Sequence, residues 1–292
     1  MTRLLDPPRH NLSPANIREL VQYAQLVPVS DWSFRAWPFD QNGPEPAVGP
    51  QIGQVAEMFE RELWLSGFVV VGLAPLLDDF SEPIAAAATT LLLASLGYPL
   101  TVFSRHPHWR RLGVDTSRPP EKSGGAGRSP FHMDFVNAEN PPDLVCLLCL
   151  RPDPCGGGES LLADLAGVEN LVSHAAVQSL RCRQFRDGRV VDLAGIGGDI
   201  NPFPILDFTS RWKYRFTGNL LNSAPNAQAS AAILELTSIL NERAVSFILA
   251  HGDLLIIDQH RMAHGRGAIA GIPSAIADEK RRLLLHSFVC RN

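Results

Sequence analysis

Residues 252–266 have the sequence GDLLIIDQHRMAHGR, which predicts a buried strand ending near Asp258, a short turn and then His264. The unbroken apolar run is typical of a strand covered on both faces, and the polar residues after it are typical of a turn. Other short, apolar or alternating runs bounded by Pro, Gly or Asp follow the same pattern: FHMDFVN (131–137), DLVCLLCL (143–150) and RLLLHSFVC (282–290). The second half of the chain is therefore predicted to be rich in strands.

The first hundred residues carry helical patterns instead. Three helices are predicted there, in LSPANIRELVQYAQL (12–26), QIGQVAEMFERELWLSG (51–67) and EPIAAAATTLLLASLG (82–97), with a buried strand, FVVVGL (68–73), among them. Two further helices are predicted at about 165–180 and 227–243, on either side of an aromatic-rich irregular stretch, 201–222. The whole pattern favours an α+β fold with a mainly β core, a β-sandwich or jelly roll with flanking helices and a long insertion.

No repeat, low-complexity segment or convincing domain boundary interrupts this pattern. We therefore predict a single domain over residues 1–292, with a helical N-terminal part, about 1–100, packed on the β core. The insertion, about 185–226, is expected to form a lid over the mouth of the jelly roll.

Composition and charge indicate which kinds of binding partner are unfavourable for this chain. A net charge of −4 and a pI near 6.1 argue against electrostatic binding of nucleic acid or of an anionic membrane. The N-terminus lacks an apolar run of signal-peptide length, and the longest apolar stretch, Ile84 to Leu96, is too short to span a bilayer. The expectation is a cytoplasmic protein that acts on a small molecule, with an oligomeric state that the sequence leaves open.

The five cysteines favour reduced thiols over a disulfide framework, because their number is odd and the chain is long. Cys146 and Cys149 have the spacing of a zinc or redox pair. On the predicted strand, however, residues three apart point to opposite faces. We expect both cysteines to be core residues.

His132 and Asp134 form the first candidate metal-binding motif. On a strand, residues two apart project from the same face, while Phe131, Met133 and Phe135 point the other way into the core. This arrangement offers one imidazole and one carboxylate on a rigid apolar support. The alternative is a pair of polar side chains that only make hydrogen bonds.

His264 supplies a third candidate ligand from far along the chain. Two histidines and one carboxylate on one face define the facial triad of non-heme iron(II) oxygenases. Three coordination positions then remain for a chelating cosubstrate and O2. His260, four residues before His264, would pair with it on a helix, but a strand-and-turn context argues against zinc binding there.

Four pieces of sequence resemble the clavaminate synthase-like and taurine dioxygenase group of 2-oxoglutarate oxygenases. They are FHMDF (131–135), GGGESLLADL (156–165), GDLLIIDQHRMAHGR (252–266) and KRRLLLHSFVCR (280–291), and they occur in the family's order. The resemblance runs from about Gly67 to the C-terminus and implies a double-stranded β-helix fold.

The resemblance also implies site residues. His132, Asp134 and His264 would bind Fe(II), and an arginine on the strand after the distal histidine would hold the far carboxylate of 2-oxoglutarate. The matching position is Arg282, with Arg281 as the less favoured choice, and Ser160 matches the family's Thr or Ser that hydrogen-bonds the same carboxylate. An arginine fork suits this task because it pairs with a carboxylate through two hydrogen bonds and keeps its charge. The alternative for both arginines is a solvated charged pair before a strand.

The sequence departs from the family pattern at two points. The interval from His264 to Arg282 is longer than usual, which predicts a larger loop beside the site. Many relatives have a second arginine four residues after the first, which in some amino-acid hydroxylases holds the substrate carboxylate, and here that position is His286. Asp134 fills the position that related halogenases leave small, so oxygenation is favoured. Phe135, Asn137 and His286 are the candidate substrate contacts.

The function predicted from the residues and the resemblance is that of a dioxygenase using Fe(II), 2-oxoglutarate and O2. It would hydroxylate a C–H bond of a small polar or amino-acid-derived biosynthetic intermediate. Desaturation, cyclisation or epoxidation would use the same cofactors. Two alternatives of other classes are a zinc-dependent hydrolase, which has no need of Arg282 and Ser160, and a jelly-roll binding protein with a vestigial site. In the insertion, packing and substrate contact are equally compatible with the segment 212–215.

Overall fold

The computed structural model describes residues 3–4, 6–35, 49–101, 107–119, 124–187 and 201–291, and the structural statements that follow concern these residues. The helices are α1 (Pro14–Ala24), α2 (Pro50–Ser66), α3 (Ala74–Asp79), α4 (Glu82–Ala94), α5 (His174–Arg181) and α6 (Ala227–Arg243). The strands of the first half are β1 (Arg3–Leu4), β2 (Arg9–Asn11), β3 (Phe68–Gly72), β4 (Tyr98–Leu100), β5 (Arg110–Gly113) and β6 (Ser129–His132). Those of the second half are β7 (Leu144–Arg151), β8 (Ser160–Asp164), β9 (Val245–Phe247), β10 (Asp253–Asp258), β11 (Met262–Arg266) and β12 (Leu283–Cys290).

Local sequence explains where the N-terminal helices begin and end. Ser13 caps α1 by accepting the N–H of Asn16, whose own side chain accepts the N–H of Ser13, and Pro14 occupies the first turn. Helix α2 ends at Gly67, which has a φ of 77° that a glycine adopts without steric cost. The three helices and the strand predicted in this half of the chain are therefore confirmed.

The strands form two sheets. One sheet has the order β1-β9-β8-β11-β6, and the other has the order β2-β3-β10-β7-β12-β4, with β5 also paired to β12. Strand pairing is antiparallel except for β1 with β9 and β2 with β3. From β6 onward, consecutive strands alternate between the sheets as in a jelly roll, except that β8 and β9 both belong to the smaller sheet.

Side-chain alternation on β10 shows how the layers are built. Leu255 and Ile257 point between the two sheets, whereas Leu254 and Ile256 point outward under the N-terminal helices. The space between the sheets is filled by apolar residues from both of them, including Leu162 on β8 and Phe288 on β12. The predicted mainly β core with flanking helices is confirmed.

Two helical layers cover the outer faces of the sheets. Helices α1, α2 and α4 pack on the larger sheet around Phe59 and Trp109, both of which are fully buried. Helices α5 and α6 pack on the smaller sheet, together with Phe203, Tyr214 and Phe216 of the insertion. Cys146 faces the N-terminal helices and Cys149 faces the intersheet core, which confirms that they lie on opposite faces of β7.

Two boundaries predicted from the sequence are wrong. The helix expected at 165–180 begins only at His174, because Gly167 has a φ of 75° and a short 3-10 turn, Val168–Asn170, precedes the Ser173 cap. The strand expected at 131–137 ends at His132, because the Met133 N–H bonds to the Phe216 carbonyl and the chain leaves the ladder.

Residues 188–200 of the predicted insertion lie outside the described residues. Among those described, no helix has both the length and the apolarity needed to cross a membrane.

Gly252 offers a test of the close packing at the start of β10. Its φ is 80°, and a Cβ atom there would lie 2.4 Å from the backbone of Ala74. Gly252→Ala should destabilise the protein by about 3 kcal/mol, from backbone strain together with overpacking. Chemical denaturation would measure this loss.

Gly156→Ala is the matched control. Gly156 has a similar φ of 82°, but nothing lies within 4 Å of a Cβ placed there. Its substitution should cost only the backbone strain, about 1–2 kcal/mol. Equal losses of unfolding free energy in the two variants would show that close packing against Ala74 does not contribute to the effect at Gly252.

Candidate metal centre

Three side chains converge at the edge of the smaller sheet where β6 pairs with β11. His132 ends β6, His264 lies in the middle of β11, and the two residues face each other in the antiparallel pairing of these strands. Their ring centroids are 4.4 Å apart. One ligand atom from each of His132, Asp134 and His264 lies within 4.8 Å of the other two. Sequence spacing and the structure therefore select the same three residues.

The tautomer of His132 is set by the backbone. Its Nδ1 lies 2.9 Å from the Pro130 carbonyl oxygen, which can only accept, so Nδ1 carries the hydrogen. Nε2 is then the ring nitrogen without a hydrogen, and it lies 3.9 Å from Asp134 Oδ1. A hydrogen bond from the other ring nitrogen to a backbone carbonyl is the usual way in which a metal-binding histidine is oriented.

Asp134 is the anionic group of the centre. Its Oδ2 atom lies 3.5 Å from Nε2 of His264 and 3.5 Å from Nε2 of His286. Burial raises the pKa of this carboxyl, but the two imidazoles lower it by more, and the pKa ends well below the usual range. Asp134 is therefore ionised at neutral pH and available as a ligand.

Several buried polar atoms of the centre have no hydrogen-bond partner within the described part of the chain. They are Asp134 Oδ2, His264 Nδ1 and His286 Nε2. Buried polar groups without a partner are costly, and their grouping in one place marks a site where an added group would satisfy them. A divalent cation held by one carboxylate and two imidazoles fits both the donor atoms and the local negative charge.

Gln259 holds the loop that carries Asp134. Its Oε1 accepts the Asp134 N–H at 2.6 Å, and its Nε2 donates to the Pro142 carbonyl at 2.9 Å. Gln259 is 1% exposed, so both hydrogen bonds are shielded from water. Sequence reasoning missed this residue, although its place directly after β10 and five residues before His264 was a usable signal.

A second cluster lies beside Gln259, around the buried carboxylate of Asp143. His260 Nε2 and the Arg211 guanidinium both hydrogen-bond Asp143 Oδ1, and the Arg291 N–H donates to Oδ2 at 2.7 Å. The His260 ring also stacks on Trp212, with centroids 3.8 Å apart. His260 thus fixes the insertion to the sheet and does not join the metal centre.

The insertion also contacts the turn after the metal motif. Arg215 donates to the carbonyl oxygens of Val136, Ala138 and Glu139. Trp212 and Tyr214 are buried against the smaller sheet or the Asp143 cluster. These contacts hold the insertion in place by hydrogen bonds and by packing.

Arg282 directly precedes β12 of the larger sheet, and its guanidinium is buried and not solvated as a surface charge would be. Its Cδ and Nε lie 3.0 Å from the point where a Cβ on Gly158 would stand, so the Arg282 side chain packs closely against this glycine. Burial, and then the nearby Arg266, lower the pKa of Arg282 to about 10. Within the described part of the chain Arg282 donates no hydrogen bond.

Ser160 lies two residues after Gly158, at the start of β8. Its side chain shares a strand face with Leu162, which belongs to the intersheet core, and it is 5% exposed. Arg281 points elsewhere, because its Nε donates to the carbonyl oxygens of Pro273 and Ile276. The loop between β11 and β12 is thereby held by Arg281 and leaves Arg282 directed inward.

The three candidate substrate contacts occupy different surroundings. Phe135, with a φ of 57°, packs edge-on against Phe288 between the sheets. The Asn137 amide exchanges two hydrogen bonds with the backbone of Asp187, which ties the turn to the insertion. His286 is 8% exposed and lies directly beside Asp134.

Comparison with known proteins extends these observations. A family model described as "Taurine catabolism dioxygenase TauD, TfdA family" matches residues 67–186. The chain is 32% identical over 149 residues to an L-asparagine oxygenase of Streptomyces coelicolor, an alignment covering 50% of this chain and 44% of that protein. The chain thus spans less than half the length of this curated relative.

Solved structures show the same fold. An asparagine oxygenase in complex with Fe(II), 2S,3S-3-hydroxyasparagine and succinate superposes with a TM-score of 0.72 at 21% identity, covering 97% of this chain and 93% of that chain. The non-heme iron oxygenase OrfP in complex with Fe, succinate and (3S)-hydroxy-L-Arg gives a TM-score of 0.67 at 17% identity, covering 98% and 95%. The predicted jelly-roll fold and the resemblance to the taurine dioxygenase group are confirmed.

Metal binding to the three ligands is testable without turnover. Fe(II) added without oxygen should raise the Tm, by roughly 5–10 °C at a hundredfold excess over Kd, because it binds only the folded state. Asp134→Asn keeps the shape but removes the charge and should abolish the rise. Thermal unfolding with and without metal measures this effect.

Asp78→Asn is the control for that measurement. Asp78 contacts His251 at the surface, and this carboxylate–imidazole pair belongs to no three-ligand group among the described residues. Its substitution should leave the metal-dependent rise unchanged. A rise that persists in Asp134→Asn would argue against the proposed ligand set.

Asp143 should contribute stability in a pH-dependent way. Burial raises the pKa of Asp143, but His260, the Arg291 N–H and Arg211 together lower it below its ordinary value. The stabilisation is therefore complete above the pKa of the unfolded chain, and it is lost as the pH falls through the lower folded-state pKa. Asp143→Asn should cost about 2 kcal/mol at neutral pH.

Denaturant unfolding at neutral and at acid pH would check this prediction. The difference in unfolding free energy between the wild type and Asp143→Asn should shrink in acid. A difference that is the same at both pH values would mean that the charge of Asp143 does not hold the insertion.

Proposed function

We propose that this chain is a cytoplasmic Fe(II)- and 2-oxoglutarate-dependent oxygenase that hydroxylates a C–H bond of a small amino-acid-derived molecule. His132, Asp134 and His264 hold the metal, and Arg282 and Ser160 hold the far carboxylate of 2-oxoglutarate. The proposal rests on one observation above all: a buried guanidinium that donates no hydrogen bond within the described residues accompanies a two-histidine, one-carboxylate cluster in the same fold.

The electrostatics around Arg282 support a carboxylate ligand. Arg266 is close enough to lower the pKa of Arg282, and its own guanidinium donates to the carbonyl oxygens of Gly125 and Gly127. Two neighbouring cations in a half-buried setting repel each other, and an anion between them removes that cost. The Ser160 hydroxyl, two residues beyond Gly158, is available to donate to the same anion.

In the proposed reaction, each group of residues would have a separate role. The bound iron, when present, supplies the activation of O2 that is coupled to oxidative decarboxylation of 2-oxoglutarate. Arg282 and Ser160 set the position of the cosubstrate relative to the triad. The insertion, fixed through Asp143 and Arg215, covers the mouth and limits the access of water.

The relatives support the amino-acid-derived class of substrate. The Streptomyces coelicolor relative is an L-asparagine oxygenase, and the OrfP complexes contain hydroxylated arginine. Hydroxylation is therefore preferred for this chain over desaturation, cyclisation or epoxidation, which would use the same cofactors. A zinc-dependent hydrolase is less favoured, because it would leave the inward guanidinium of Arg282 without a function.

Replacement of Arg282 tests the proposal. Purified protein given Fe(II), 2-oxoglutarate and O2 should release succinate, and Arg282→Ala should raise the KM for 2-oxoglutarate about 10- to 100-fold. That range corresponds to the loss of a charge-assisted hydrogen-bond pair worth about 1.5–3 kcal/mol. Succinate release over a range of 2-oxoglutarate concentrations gives the measurement.

Arg281→Ala is the matched control, because this neighbouring arginine is bonded to loop carbonyl oxygens. Its KM for 2-oxoglutarate should stay near that of the wild type. Equal effects of the two substitutions would reject the assignment of Arg282. The absence of any iron-dependent succinate in the wild type would favour a hydrolase or a vestigial binding protein.

A further inference from the structure

Arg110 is a second cation near the metal centre, and it comes from a strand that none of the four family-like sequence pieces includes. It begins β5, an edge strand paired antiparallel to β12, and stands directly opposite His286 in the register. Residues directly opposite each other in such a pair project from the same face of the sheet. Because His286 contacts Asp134, Arg110 is directed toward the metal centre as well.

The alternation of β5 supports this orientation. Leu112, two residues further on, packs in the core between the sheets and stands opposite Leu284, which lies in the same core. Arg110 and Leu112 therefore share the inner face, and Arg110 is half-buried. Arg111 has the other orientation and is exposed.

Charge relations agree with the geometry. Burial lowers the pKa of Arg110, whereas the negative charge of Asp134 raises it, so the two groups are within electrostatic reach of each other. Arg118, on the loop after β5, lowers the pKa of Arg110 through its positive charge, although Arg118 is itself paired with Asp115 at 3.1 Å. A divalent cation bound at the triad would take up the negative charge of Asp134, which would then no longer offset the charge of Arg110.

We propose that Arg110 binds an anionic group of the substrate, most simply a carboxylate, beside the metal centre. This inference rests on the proposed function and names the substrate feature that the site selects. In this chain the guanidinium would therefore come from Arg110 on β5, opposite His286, and not from position 286 itself. A free carboxylate is thus compatible with this chain, although His286 stands where many relatives have the second arginine.

The experiment compares acids with their neutral amides. The probes are the proteinogenic L-amino acids and the corresponding α-carboxamides, each added to protein with Fe(II), 2-oxoglutarate and O2. Acids should stimulate succinate release, and the matching carboxamides should stimulate it at least tenfold less. In Arg110→Ala the KM for a stimulating acid should rise tenfold or more, with partial recovery in Arg110→Lys.

Arg111→Ala is the matched control, since it removes the same charge from the outer face of the same strand. It should behave as the wild type does. Binding of Fe(II) and 2-oxoglutarate, followed without oxygen by their visible charge-transfer absorption, should be unchanged in Arg110→Ala. This readout separates a substrate contact from a residue that only supports Asp134.

Each other outcome overturns the inference. Stimulation by carboxamides equal to that by acids, stimulation by no acid, or an unchanged KM in Arg110→Ala would remove the anionic subsite. Weakened charge-transfer absorption in Arg110→Ala would assign Arg110 to the support of the metal. A different result would contradict the proposed function itself: the wild type would show neither iron-dependent succinate release nor the charge-transfer absorption.

Discussion

The pairing of β11 with its two neighbours is the constraint on which the candidate site depends. On one side His264 stands opposite His132 of β6, and on the other side β11 is paired with β8 so that Arg266 stands opposite Ser160. A slip of one residue along β11 would turn His264 to the opposite face, because strand side chains alternate. One register therefore fixes the candidate metal ligands together with the position of Ser160, which is proposed to bind the cosubstrate.

Residue chemistry and the order of the family-like pieces made most of this candidate site predictable. His264 and the pair His132 and Asp134 are chemically recognisable, and the order of the family-like pieces linked them across the chain. Arg282 was favoured over Arg281 by resemblance, and the structure supplies a physical reason. Arg282 is two residues before Leu284 of the intersheet core, while Arg281 bonds to loop carbonyl oxygens on the outside.

The remaining features depend on long-range contacts that no local pattern records. Asp134 lies beyond the end of its strand because the backbone there bonds to Gln259 and Phe216. Asp143 is buried by Arg211 and His260, which come from 68 and 117 residues away. The late start of α5 follows from the left-handed conformation of Gly167. The apolar pattern of residues 165–180 does not predict this conformation.

The charges of the interior argue for anions that come from outside the chain. Burial of a guanidinium is unfavourable unless it is paired, and Arg282 keeps its position without a hydrogen bond from the described residues. Its lowered pKa, about 10, still leaves it charged at neutral pH. Burial of Arg282 without a hydrogen bond from the described residues therefore disfavours folding. On the proposed function, a bound dicarboxylate would offset this unfavourable burial, so the affinity for the cosubstrate would follow directly from the fold.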